Sequence, residues 1–242
     1  MIDAESALQT ISADGHRLLD VAVDLEARVP TCTDWSVHDL LAHIGSVHRK
    51  VTAQVVRRAT ERVAPDVIES PPEGELVREF AESGLHSLLG ALEGVDPTEP
   101  MWTWSNRHEA GFFIRRMVHE TAVHRFDAEA AVGDTTAVDD AQGADGIEEL
   151  YGELLPYRLE HQPRPLPAGS LHLHRTDGGD GEWMLRPMGE TIVLGHGHEK
   201  GDAALRGPGG DLFLAMWGRI PPEQLELFGD AAVARAWVGM SP

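Results

Sequence analysis

RRMVHETAVHRFD, residues 115–127, lies in the middle of a segment, 109–131, whose Phe112, Phe113, Met117, Val118, Ala122, Val123, Phe126 and Ala130 recur at helical spacing. Gly133 follows at the place of a helix C-cap. Within this helix Glu120 and His124 are four apart and lie one turn over each other, whereas His119 and His124 are five apart and diverge by roughly 140°. The adjacent pair is therefore Glu120 with His124. A zinc protease helix needs two histidines four apart with the glutamate directly after the first, and this spacing breaks that pattern. The pair reads either as two metal ligands or as an ordinary ion pair along a helix.

Working outward, Leu8, Ile11, Leu18, Leu19, Val21, Val23 and Leu25 predict a first helix over 4–28, stopped by Pro30. Ser36 with Asp39 three residues on makes a capping-box start for a second, which Leu40, Leu41, Ile44, Val47 and Val51 carry to about residue 60. After a loop at 66–72, Leu76, Phe80, Leu85, Leu88, Leu89 and Leu92 form a third stripe, ending near Gly94. A further helix is expected over 139–160, with Ile147, Leu150, Leu154, Leu155 and Leu159 inward. Four or five long helices imply a bundle.

The texture changes at QPRPLPAG, 162–169, whose three prolines read as a stiff linker. Beyond it 171–174, 182–186 and 191–194 read as short strands, and 210–218, 222–227 and 230–238 as helical segments. The expected fold class is α+β, mainly α, with a helical bundle over 1–161 and a small α+β domain over 168–242.

A catalytic zinc takes three protein ligands and keeps a position open, so Glu120 and His124 need a partner from another helix. His43 is the best candidate, because Leu40, Leu41, Ile44 and Val47 set it along the inward stripe of the second helix. His38, His48 and His119 are its rivals. Asp127, three residues after His124, is placed to accept the proton of a ligand imidazole, or to form an ordinary helix pair with a neighbouring arginine. Arg115, Arg116 and Arg125 crowd the same helix, and spacing does not say which faces inward. Trp35, Trp102 and Trp104 are expected chiefly as packing residues between helices or along the cleft.

His172 and His174 are two apart in a strand, and His196 and His198 repeat the spacing. Each pair shares a face, which suits a second metal site or, more plainly, histidines facing solvent.

Forty acidic against twenty basic side chains give a net charge of −20, which disfavours nucleic acid and anionic membranes as partners. The polar, acidic start and the lack of an apolar run near twenty residues point to a cytoplasmic protein. A single cysteine, Cys32, excludes an internal disulfide and reads as a small buried hydrophobe before it reads as a reactive thiol.

TCTDWSVHDLLAHIG, 31–45, followed by the ETAVHRFD element, resembles the mycothiol-dependent maleylpyruvate isomerase family, a branch of the DinB-like metal-binding bundles. DLFLAMWGRI, 211–220, and LFGD, 227–230, resemble the sterol-carrier-like domain that often follows in that family. The resemblance implies an up-down four-helix bundle, a divalent metal, zinc foremost, on His43, Glu120 and His124, and mycothiol as an external thiol. It also implies that Arg219 presents a guanidinium to a substrate carboxylate from the second domain, although a surface arginine would read the same way. The implied enzyme adds a metal-bound thiolate to an electrophilic small molecule, either as a cis-trans isomerase or as a thiol S-transferase. The alternatives are a non-catalytic metal-containing binding module and a hydrolase that uses metal-bound water.

Overall fold

The computed structural model describes residues 3–178 and 180–241. Contacts divide the chain into two units. One runs to Thr103 and again from Arg107 to Thr136, and the other takes Trp104–Asn106 and the chain from Ala137 on.

The first unit is built on four helices: α1 Ala4–Val21, α2 Val37–Val56, α3 Leu76–Leu92 and α4 Ala110–Val132. Helix α2 opens with the predicted reciprocal cap, Ser36 accepting from the Asp39 backbone N–H while the Asp39 carboxylate accepts from that of Ser36. Helix α4 ends at Gly133, whose φ of 72° places its N–H on the carbonyls of Glu129 and Ala130. Helix α1 packs on α3 and α4, and α2 packs on the same two. Leu18, Leu40, Leu41, Ile44, Val77 and Ala81 lie in the buried apolar cluster. Helices α2 and α3 approach closely at Gly45, where an added Cβ would fall 2.7 Å from the Phe80 ring. That contact sets the depth of the helix carrying His43.

Helix α4 is buried on most of its circumference, including the polar Arg116, His119, His124, Asp127 and Glu129. A helix so enclosed keeps polar groups only where they find partners.

The first helix is shorter than its periodicity predicts. It stops at Val21, and the chain then runs against residues 35–38: the Val37 N–H donates to the Ala27 carbonyl, the His38 N–H to Leu25, and the Val29 N–H to Trp35. Leu25 and Val29 are buried through this loop pairing. Their apolar spacing was satisfied without a helix.

In the second unit α5, Asp140–Glu149, continues through one wide π turn, Leu150–Leu154, into α6, Leu155–His161. Pro156 offers no N–H to the helical ladder, which accounts for the irregular turn just before it. A five-stranded sheet follows, in the order β3-β2-β1-β4-β5, with β1 Leu171–Arg175, β2 Glu182–Met188, β3 Thr191–His196, β4 Ala203–Gly207 and β5 Glu226–Gly229. Strands β1 and β4 are parallel and the other neighbours antiparallel. Helices α7, Gly209–Met216, and α8, Ala231–Val238, complete the unit.

Three differences from the sequence expectations have physical causes. Helix α5 packs on α7, and the π turn and α6 pack on β3, so the helical stretch over 140–161 sits with the carboxy-terminal unit and the proline-rich 162–169 lies inside that unit. Strand β4 carries no β-branched residue and β5 is four residues long, so both owe their conformation to pairing more than to propensity. The stretch 222–227, expected as helical, is a short 3-10 turn, Pro222–Gln224, leading into β5. The class is α+β and mainly α, as expected. Among the described residues no helix is long and apolar enough to cross a membrane.

Candidate metal centre

The geometry of α2 and α4 brings His43, Glu120 and His124 together. His43 Nε2 lies 3.2 Å from Glu120 Oε1, and His124 Nε2 lies 3.3 Å from the same oxygen. One donor atom from each residue falls within 4.8 Å of the others. The imidazoles meet edge to face with centroids 4.8 Å apart. Exposure falls from 37% at the His43 side chain to 13% at Glu120 and 6% at His124, so the cluster opens on the His43 side.

The surroundings fix each ligand. Asp127, fully buried, accepts from His124 Nδ1 at 2.9 Å, which would leave Nε2 to ligate an ion bound in the cluster. Asp127 is itself held by the Thr31 hydroxyl at 2.6 Å, and Cys32 Sγ lies 3.8 Å away. On the other side the Arg116 guanidinium pairs with Glu120 Oε2. Burial works against a charge on Glu120, but Arg116 and the hydrogen bonds from His124 and His43 hold its carboxyl well below the usual carboxylate range. Burial likewise opposes a charge on His124, and its bonds to Asp127 and Glu120 more than offset that, so its pKa is raised. Trp35 closes one wall, stacked on His124 at 6.0 Å and tilted against His43 at 4.9 Å.

These donors fit a divalent metal of the zinc type. Two neutral imidazoles and one carboxylate form a common catalytic set, and a carboxylate behind one imidazole is the usual support. The shared Glu120 oxygen marks where an ion would take the place of the imidazole hydrogens.

Of the rivals to His43, none joins this cluster. His48 is buried with neither ring nitrogen hydrogen-bonded, and burial pushes it down to about 3. His119 is fully buried on α4, and His38 stands near the start of α2. Of the three arginines, Arg116 meets the cluster through Glu120. Arg125 pairs with Asp14 and Glu129 at 2.9 and 2.8 Å, and Arg115 remains partly exposed. An arginine one turn before a glutamate was the available sign for Arg116. Thr31 and Trp35 fall within the stretch that the resemblance quoted, but nothing in their spacing announces contact with α4. Arg219 lies in the second unit just after α7, and its Nη1 donates to the Trp217 carbonyl at 2.7 Å.

The family described as Mycothiol maleylpyruvate isomerase N-terminal domain matches residues 8–129, and that described as MDMPI C-terminal domain matches residues 141–236. Two solved structures are similar over 93% of this chain and 93% of their own. One is a histidine-to-alanine mutant of the mycothiol-dependent maleylpyruvate isomerase, with TM-score 0.64 and 12% identity. The other is the same enzyme without that change, with TM-score 0.61 and 13% identity. At such identity the likeness speaks for the fold alone. No curated protein matches the sequence. The two matched stretches span most of the chain, each falling within one helical or α+β part of it, and the protein belongs to the mycothiol maleylpyruvate isomerase family.

Proposed function

We propose that this protein is a metal- and mycothiol-dependent enzyme that adds the mycothiol thiolate to an electrophilic small molecule, with cis-trans isomerisation of an unsaturated oxo acid of the maleylpyruvate type as its reaction. The observation that carries this reading is the convergence of His43, Glu120 and His124, three donors rather than four, in a chain of this family. Three protein ligands leave a coordination position for an external group.

A divalent metal bound here supplies Lewis acidity, which lowers the pKa of a coordinated thiol so that thiolate is present at neutral pH. Glu120 and His124 hold the ion from α4 and His43 from α2. Asp127 keeps His124 in the tautomer that ligates, and Arg116 keeps Glu120 ionised. Trp35 packs against two of the three ligands, His43 and His124. Sulfur attack on the carbon–carbon double bond forms a C–S bond and breaks the π bond. Rotation about the resulting single bond and loss of the thiolate restore the double bond in the other geometry, with no net oxidation. Arg219 is proposed to pair with a substrate carboxylate, where a planar guanidinium can bind both oxygens. The reaction needs no nucleic acid or membrane partner, and the low-molecular-weight thiol suits a cytoplasmic enzyme.

Commitment of Glu120 to the metal and to Arg116 weighs against its use as the base of a hydrolase. The test incubates zinc-loaded protein and mycothiol with maleylpyruvate and, separately, with a haloaromatic electrophile. Conversion of maleylpyruvate without consumption of thiol supports the isomerase. Stoichiometric loss of thiol to the haloaromatic alone would replace it with an S-transferase, and no reaction with either at full metal occupancy would remove both. An Arg219→Gln variant is expected to raise KM for the acid with little effect on metal content.

A further inference from the structure

A second group of histidines converges on the sheet of the carboxy-terminal unit. His172 and His174 point to one face of β1, and the antiparallel register sets Glu182 of β2 opposite His174 on that face. Leu171, Leu173 and Trp183 take the other face and are buried. His198 reaches the same histidine face because the chain turns sharply after β3. Gly197 has a φ of 114°, a conformation that favours glycine, and its N–H donates to the Glu182 carbonyl at 3.0 Å.

The side chains then meet at one carboxylate. His174 Nδ1 lies 2.7 Å and His198 Nδ1 3.0 Å from Glu182 Oε1. The three imidazoles stand nearly perpendicular to one another, at 72°, 87° and 84°, with centroids 5.3–6.1 Å apart. Donor atoms of all four residues fall within 4.8 Å of each other, a wider spread than the edge of about 3.4 Å in a tetrahedron of ligands around zinc, so an ion would draw them together. The sequence reading favoured solvent-facing histidines, but His172 is only 5% exposed. Its Nε2 is buried with no hydrogen-bond partner. An imidazole nitrogen left without a partner costs free energy unless something else meets it.

We propose that His172, His174, Glu182 and His198 bind a second divalent cation of the zinc class, distinct from the one on α2 and α4. The ion takes the position toward which the His174 and His198 N–H groups now point, and each ring then carries its hydrogen on the other nitrogen. Three imidazoles and one carboxylate fill a tetrahedron, so this site is closed, and its work is structural. It ties β1 and β2 to the segment over 197–201, whose attachment among these residues runs through Glu182.

The test uses the full chain carrying His43→Ala, which disables the bundle ligands, stripped with a chelator and titrated with Co2+. One equivalent is expected, with the visible bands of a tetrahedral cobalt site, displaced by Zn2+. Adding His198→Ala, an exposed loop change, or Glu182→Gln should weaken binding at least tenfold while the circular dichroism spectrum is retained. Zn2+ should also slow hydrogen exchange over 197–201 in the His43→Ala chain but not in the chain carrying His198→Ala as well. No stoichiometric binding by the His43→Ala chain, or binding that both added changes leave intact, would overturn the proposal. Neither result depends on whether the bundle site acts on mycothiol.

Discussion

The bundle cluster and the sheet cluster use the same side chains on different scaffolds. In the bundle Glu120 and His124 come from one helix and His43 from another, and two further groups, Asp127 and Arg116, stand behind them. In the sheet Glu182 itself receives His174 and His198, the latter delivered by a glycine turn, and His172 comes from β1. The bundle supplies three donors with orienting neighbours, and the sheet four donors with none named behind them. Donor number decides whether a ligand position stays open, and orienting neighbours decide how tightly each ligand is aimed. Chemistry is expected at the first and mechanical bracing at the second.

That contrast is broken most directly by removing a ligand from each cluster. His43→Ala should strip the bundle of its metal and reduce mycothiol-dependent turnover by more than the roughly 10–100-fold typical of losing an orienting neighbour. Glu182→Gln should leave turnover at the wild-type level and act on the sheet alone. Metal analysis beside a turnover assay checks both. If Glu182→Gln stopped turnover and His43→Ala spared it, the roles of the two clusters would be exchanged.

The next effect tests the layer behind the ligands. Asp127→Asn preserves size but gives His124 a neutral acceptor, and the affinity of the bundle for zinc should fall by about 10–100-fold. Competition with a chromogenic chelator measures it. An unchanged affinity would mean that Thr31 and the helix hold His124 in place without the charge of Asp127.

Much of this arrangement was legible in the chain. The four bundle helices followed from 3.6-residue periodicity, and the pairing of Glu120 with His124 followed from their spacing. The choice of His43 over His48 was not settled by periodicity, because both lie on the inward half of α2. Spacing made His43 the best candidate with His48 as a rival, and the resemblance fixed it; in the structure His43 meets Glu120, while both ring nitrogens of His48 are buried without a hydrogen bond. What the spacing hid is tertiary. The segment after Val21 looks helical because Val23 and Leu25 continue the apolar spacing, but Val23 is exposed and a loop pairing buries Leu25. The affiliation of residues 140–161 with the carboxy-terminal unit rests on contacts with α7 and β3 that no local signal encodes, and the proline stretch after it was the stronger sequence mark.

His48 separates the interior of the bundle from the metal chemistry next to it. Its folded pKa of about 3 lies below the ordinary 6.5, so the folded state holds it neutral while the unfolded state takes up a proton as the pH falls. Its contribution to stability is therefore fully present above pH 6.5 and lost as the pH drops from there toward 3. The loss amounts to about 2 kcal/mol by pH 5. Urea unfolding of the wild type beside His48→Leu, both in chelator, should show a difference that closes in the variant's favour by that amount between pH 7.5 and 5. A difference flat with pH would mean that His48 reaches solvent or a partner once the protein breathes.

The smallest effect belongs to the histidine that spacing made equivalent to His198. His196 and His198 are two apart, as His172 and His174 are, and an unbroken strand would put both on one face. Gly197 breaks the strand between them. His196 pairs through the register with Trp183, on the covered face, and its Nε2 meets Glu148 at 2.7 Å, while His198 joins Glu182. The His196 side chain is 64% exposed, and an ion pair so open to water is worth less than about 1 kcal/mol. His196→Ala should thus cost little stability and leave cobalt binding at the sheet unchanged, in the same titration in which His198→Ala weakens it at least tenfold. Replacing Gly197 by valine, which disfavours positive φ, should instead weaken that binding while every ligand is still present, because the turn is what separates two identically spaced pairs.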